Sequence, residues 1–262
     1  MQNNNSFGHY DRIIIHTPHA GTKLPIRYEV PKHIAPAMRN KAVEAFINRY
    51  HKQLCDHYTD KLFRSPNPSI CQISFPYSRL FCDVERLKND PLEEKGLGIH
   101  YDFKKIAGHD YGGIWKLDRQ VDARSLYCMH HRRLKELISH PSFGTPLLLD
   151  CHSFSERDNV LCPNAHEYKD IDICIGFNED ATKPSQETLD QVAKFFQNRG
   201  YRISFNKPFS NSKTVDTDKP YHSLMIEVNK HCYMNEDTLE KTEGFDKLHA
   251  ELQELYKLLL NW

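Results

Sequence analysis

The chain has 262 residues, of which 39% are hydrophobic and 27% charged, with 35 Lys plus Arg against 35 Asp plus Glu. A chain of this size buries a core without disulfide or metal staples, and its composition excludes a coiled coil, a collagen-like chain and a wholly disordered segment. Zero formal net charge argues against binding nucleic acid by broad phosphate neutralisation, and no apolar run reaches the roughly 18 residues of a membrane span.

Residues 1–9 read as a flexible polar tail without the basic start and apolar core of a signal peptide. Ile13-Ile14-Ile15 predicts a strand buried on both faces, because β-branched side chains crowd a helix and pack well on a sheet. His16-Thr17-Pro18-His19-Ala20-Gly21 follows as a turn. Residues 36–63 read as helical with a break near 50, and Ile70 to Phe75 as a short strand. Ser78 to Arg86 reads as another strand with a polar end. Residues 87–120 are rich in Gly, Asp and Lys and read as a long pocket-forming excursion, anchored by Phe103, Ile106, Tyr111, Ile114 and Trp115.

A helix is expected over 122–139, where Leu126, Met129, Leu134, Leu137 and Ile138 share one side. Leu147-Leu148-Leu149 is a second central strand running into Asp150-Cys151-His152-Ser153, and Ile171 to Gly176 a third. A helix over 186–198 stops at Gly200, followed by strands at Tyr201–Phe205 and Ser223–Val228. Leu248, Leu252, Leu255 and Leu259 form the stripe of a final helix within 238–260. Strands alternating with helices predict a mostly parallel or mixed sheet covered on both faces, a three-layer α/β/α unit formed by one domain over 10–262. The eight cysteines include no CxxC pair, and several lie in strand-like runs. That favours a reduced, cytoplasmic setting over a disulfide scaffold.

In open α/β sheets, ligands collect beyond the C-terminal ends of the strands. There the first run ends in His19, the second in His152, and the last carries Glu227. Two neutral imidazoles plus one carboxylate suit Zn²⁺ and leave a position for water, with Mn²⁺, Fe²⁺ and Co²⁺ as alternatives. Glu227 inside an apolar run needs a partner or a raised pKa. Asp56 and Asp60 share a helix face; either a cation or solvation of the helix end explains the pair. Cys151 beside His152 is poorly placed as a nucleophile–base pair, because adjacent strand residues point to opposite faces. The run His130-His131-Arg132-Arg133 fits the solvated face of an amphipathic helix.

These segments resemble, in order over residues 13 to 235, those of the N-formylglutamate amidohydrolase family. Pro18-His19-Ala20-Gly21 is similar to its opening Pro-His-(Ser/Ala)-Gly segment, and Asp56 to Phe63 to its Asp-bearing helix. Ser78-Arg79 through Arg86 resembles its Ser-Arg…Asp-x-Asn-Arg segment, and Asp150-Cys151-His152-Ser153 its Asp-x-His-Ser strand end. Arg202 to Phe209 and Ile226-Glu227-Val228-Asn229-Lys230 resemble its late segments. The resemblance implies a zinc-carboxypeptidase-like (phosphorylase/hydrolase-like) fold, one zinc ion per chain, and hydrolysis of a small acylated amino acid. It implies His19 and His152 as metal ligands with Asp56, or alternatively Asp60, as the carboxylate ligand. Glu227 is implied as general base and acid, and Arg79 as the group that stabilises the oxyanion. Arg86, His131 and Asn206 are implied on the substrate side. The chain departs from the family at Glu85, where the family has Asn, at Lys207, and at Ser210-Asn211-Ser212. All three departures fall on substrate-facing parts, and Glu85 is expected to pair with Arg86 and remove its charge from substrate binding. A peptidase of the carboxypeptidase kind and a non-catalytic binding protein of the same fold are the alternative readings.

Overall fold

The computed structural model describes residues 10–24, 26–29, 45, 48–50, 53–102, 105, 116–119, 122–141, 144–211 and 213–260. Its centre is a six-stranded sheet in the order β3-β1-β5-β8-β6-β7. The strands are β1 (Ile13–Thr17), β3 (Ile70–Ser74), β5 (Leu147–Phe154), β6 (Ile173–Gly176), β7 (Ile203–Phe205) and β8 (His222–Asn229). β3, β1, β5 and β8 run parallel, while β6 runs antiparallel to β8 and parallel to β7. The sheet is therefore mixed. A separate antiparallel pair joins β2 (Ile26–Glu29) to β4 (Lys116–Arg119).

Period-two alternation sorts each strand between two layers. Ile13 and Ile15 of β1, Leu147, Leu149 and Cys151 of β5, and Leu224, Ile226 and Val228 of β8 enter one core. That core also takes in α3 (Gln186–Gln197) through Leu189, Val192 and Phe196, and α4 (Gly244–Leu260) through the expected Leu248/Leu252/Leu255/Leu259 stripe. Ile14 and Leu148 point the other way, against Leu134, Leu137 and Ile138 of α2 (Ala123–Ile138). Helices thus flank both faces. Full burial of each Ile or Leu in these rows contributes roughly 1.5–3 kcal/mol.

Most strands and helices fall where the sequence places them, with β5 and β8 longer than the apolar runs alone predict. The predicted strand at Ser78–Arg86 is instead a run of turns. Its ladder partners are replaced by local ones: Phe81 N and Cys82 N donate to Ser78 O, Leu80 N to Ser78 Oγ, and Glu85 N to Asp83 Oδ1. Of the helix expected over 36–63, residues 36–44, 46, 47, 51 and 52 lie outside the described residues, while 45, 48–50, 53 and 54 are helical. Its last part breaks at 55–58, with Tyr58 at φ 68°, before the short α1 (Thr59–Leu62). Within 87–120, Pro91–Lys95 forms a 3₁₀ turn; the anchors Phe103, Ile106, Tyr111, Ile114 and Trp115, like the tail 1–9, lie outside the described residues.

Candidate metal centre

The polar ends of β1, β5 and β8 meet on the α2 side of the sheet. His152 and Glu227 are direct register partners on β5 and β8, so both side chains leave the same face. His19 follows β1 in a loop fixed by two contacts. Asp56 N donates to His19 O at 3.0 Å, tying the loop to the break before α1. Gly21 lies so close to the Phe75–Tyr77 backbone that a Cβ would sit 2.5 Å from Phe75 O, which no side chain tolerates. These elements line a cleft of about 290 Å³ that includes His19, Asp56, Arg79, Glu85, Arg86, His152 and Glu227.

Both imidazoles are buried, His19 at 1% and His152 at 3% exposure, and their Nε2 atoms face carboxylates. His19 Nε2 lies 2.8 Å from Asp83 Oδ1, and His152 Nε2 lies 3.1 Å from Asp150 Oδ1. Their Nδ1 atoms face Asp56 Oδ2 instead, at 3.2 Å from His152 and 3.7 Å from His19. His19 Nδ1 has no hydrogen-bond partner, and neither does Glu227 Oε2. An orphaned, buried imidazole nitrogen beside a carboxylate is a donor set that a divalent cation would complete. Glu85 approaches from the other edge, with Oε2 3.6 Å from His19 Nε2 and Oε1 3.4 Å from His152 Nε2. His19, Glu85 and His152 offer three donor atoms within 4.8 Å of one another.

The electrostatics follow from burial and crowding. Burial opposes ionisation of Asp56, but His152 and His19 beside it hold its pKa well below the usual range. Asp83 and Asp150 are likewise held low against burial, Asp83 by His19 and Arg79 and Asp150 by His16 and His152. The carboxylates in turn push His152 up, against burial, with Glu85 and Asp150 the main contributors. Glu227 is the exception. Burial pushes it up to about 8; the charges of Asp56 and Glu85 add to this, while His152 and Arg79 oppose it. The site therefore holds a surplus of negative charge around two imidazoles, with one carboxyl kept poised near neutrality.

Arg79 and Arg86 both reach the cleft, each already paired. Arg79 Nη2 donates to Asp83 Oδ2 at 3.0 Å and its Nε to Tyr101 Oη at 2.6 Å; Tyr101 Oη donates to Asp83 Oδ2 at 2.7 Å. Arg86 Nη1 donates to Glu85 Oε2 at 3.0 Å.

Three expected residues stand elsewhere. Asp60 is half-buried on α1 and does not line the cleft. His131 lies on α2 against Tyr127, ring centroids 4.1 Å apart, also away from the lining. Asn206 sits at φ 54° in the turn after β7, where its Oδ1 accepts from Phe177 N; Asn211 lines the cleft instead. Cys151 is fully buried in the core on the opposite face, where burial pushes its thiol far up, so it has no part in the cleft.

A network behind His152 joins residues that no motif links. His16 Nδ1 lies 2.9 Å from Asp150 Oδ1, and His16 Nε2 lies 2.9 Å from His130 Nε2. Thr214 Oγ1 donates to the other oxygen of Asp150 at 2.7 Å. The parallel register pairs His16 with Asp150, the one signal that links them. A second cluster, Asp172, His231 and Cys232, also has metal-compatible spacing. There the guanidinium of Arg202 holds both carboxylate oxygens of Asp172, at 3.1 and 2.9 Å, so an ion would have to displace a cation.

The model of the family described as N-formylglutamate amidohydrolase matches residues 11–234 of the chain. Among solved structures, the N-formylglutamate amidohydrolase of Ralstonia eutropha JMP134 is 19% identical, with a TM-score of 0.68 over 98% of this chain and 95% of that one. This likeness shows a shared fold. Murine aminoacylase 3 is 9% identical with a TM-score of 0.37, over 95% of this chain and 64% of that one, too distant to argue from. No curated protein matches the chain. Among the described residues, no helix is long and apolar enough to cross a membrane.

Proposed function

Because the chain belongs to the N-formylglutamate amidohydrolase family, we propose that it is a metal-dependent hydrolase that cleaves the amide bond of a small N-acyl amino acid. The observation that carries this reading is the pair of buried imidazoles, His19 and His152, each held at Nε2 by a carboxylate and turned at Nδ1 toward Asp56. A metal-ligating His donates its other ring N–H to such a partner. His19, His152 and Asp56 would hold the ion on that edge. Binding on the Glu85 edge would break both Nε2 contacts and separate Glu85 from Arg86. Two imidazoles and a carboxylate suit Zn²⁺.

A divalent cation, when bound, supplies Lewis acidity toward the acyl carbonyl and toward water. Glu227, with Oε2 lacking a partner, takes the proton of the attacking water and returns it to the departing nitrogen. Burial holds Glu227 up to about 8, and a bound cation would favour its ionised form. Arg79, held in place by Asp83 and Tyr101, donates to the developing oxyanion. Asp83 and Asp150 fix the two imidazoles. Residues 10–262 act as one domain of zinc-carboxypeptidase-like form. No disulfide joins the eight cysteines, which supports a cytoplasmic setting.

The test is hydrolysis of N-formyl amino acids by the purified protein before and after chelation. The reading expects release of formate and free amino acid, loss of turnover with the chelator, and recovery on adding zinc. Cleavage of unmodified short peptides in the same assay, with the formyl compounds left intact, would make it a peptidase, and metal-independent turnover would refute the mechanism.

A further inference from the structure

Glu85 sets a carboxylate against Arg86, one of the two guanidinium groups among the described residues lining the cleft. Among the described residues lining the cleft, the only cationic side chains besides the imidazoles are Arg79 and Arg86. Arg79 faces Asp83 at 3.0 Å and Arg86 faces Glu85 at 3.0 Å, so each guanidinium already has a carboxylate of the protein. Glu85 is 5% exposed, and its Oε2 accepts from Arg86 Nη1 at 3.0 Å. A carboxylate entering beside Arg86 would meet the Glu85 charge in a partly desolvated cleft, where screening is weak. The rest of the lining includes apolar walls from two packed clusters, Leu92, Leu97 and Leu161 in one and Phe154, Phe209 and Met225 in the other.

We propose that Glu85 is a specificity-determining residue: it closes the subsite beside Arg86 to a second carboxylate, so the preferred substrate is an N-acyl amino acid with an uncharged, apolar side chain. This rests on the amide-hydrolase reading above. One substrate carboxylate is tolerated, because Arg86 can share its planar fork between Glu85 and a single further anion. A dicarboxylic amino acid brings two, and the described lining offers no third cation.

The experiment compares kcat/KM for N-formyl-leucine and N-formyl-glutamate in the metal-loaded wild type and in Glu85→Gln, with metal content measured in both. The wild type is expected to favour the leucine compound by at least about tenfold, and Glu85→Gln to reduce that ratio by at least about tenfold while keeping its metal. A wild type that favours the glutamate compound, or a ratio unchanged by the substitution, overturns the proposal. Loss of metal in Glu85→Gln also overturns it, since Glu85 would then be a ligand. Should Glu85→Gln fail to fold by circular dichroism, Glu85→Ala and the wild-type ratio carry the test. If neither compound is hydrolysed, the amide-hydrolase reading fails on its own, and calorimetry of both compounds with the metal-loaded wild type still decides specificity. Tighter binding of the leucine compound supports the role of Glu85; equal, reversed or absent binding removes it.

Discussion

Replacing Glu227 by Gln separates its two consequences, one for stability and one for turnover. Its pKa is pushed from 4.5 to about 8 in the metal-free fold. Below 4.5 both folded and unfolded chains keep the proton, and burying the neutral carboxyl carries no ionic penalty. Between 4.5 and 8 the unfolded chain releases the proton while the folded chain retains it, so stability falls as pH rises; above 8 the deficit is constant. At pH 7 the deficit is about 3 kcal/mol. Gln has the same shape and no charge to bury. Metal-free E227Q should therefore melt higher than metal-free wild type by about 10 °C at pH 7, and the difference should shrink toward zero near pH 4. Zinc should narrow the gap at pH 7, because the cation stabilises the ionised Glu227 and not the amide. Scanning calorimetry of both proteins from pH 4 to 8, with chelator and with zinc, measures this. The same E227Q preparation should retain metal and lose roughly 10²–10⁴ in kcat. A melting difference independent of pH would show that Glu227 is not held protonated. Near-normal turnover would remove it from the proton-transfer role.

Three further substitutions address the remaining parts. Asp56→Asn should abolish tight metal binding, measured by zinc titration with a chromophoric competitor; retention would move the third ligand to the Glu85 edge. Asp150→Asn should weaken zinc about 10–100-fold, since Asp150 bridges His152 and His16, and an unchanged affinity would make that network purely structural. Arg79→Lys keeps the charge but not the planar fork; a fall of about 10² in kcat with a smaller change in KM is expected if Arg79 meets the oxyanion, whereas a rise in KM alone would make it a binding group.

The sheet was legible because its strands are written as apolar runs that end in polar residues. Ile13–Ile15, Leu147–Leu149 and Ser223–Val228 lead to His19, His152 and Glu227, and the strand register places the last two side by side. Misreadings arose where local hydrogen bonding overrides pattern. Leu80, Cys82 and Val84 alternate as a strand would, and all are buried, yet Ser78 and Asp83 side chains bind the backbone into turns. On α2 the expected His131 lies one residue, about 100° of helix, from His130, and only His130 reaches His16. Asn206 ties the turn after β7 to Phe177 just beyond β6, and Asn211 lines the cleft. Glu85 stood out in the sequence as a departure beside Arg86, and the expected pairing of the two is a 3.0 Å contact in the structure. Asp56 was the preferred carboxylate with Asp60 as its alternative; the break at 55–58 turns Asp56 toward both imidazoles and leaves Asp60 on α1.

Metal content, measured by inductively coupled plasma mass spectrometry on protein purified without added metal or a histidine tag, tests the central claim most directly. A His19→Ala/His152→Ala variant serves as the comparison. The account predicts about one zinc ion per chain in the wild type and none in the variant, with N-formyl amino acid hydrolysis lost alongside the metal. A wild type that binds neither zinc, manganese nor iron after reconstitution, or a variant that keeps its full metal complement, would contradict it.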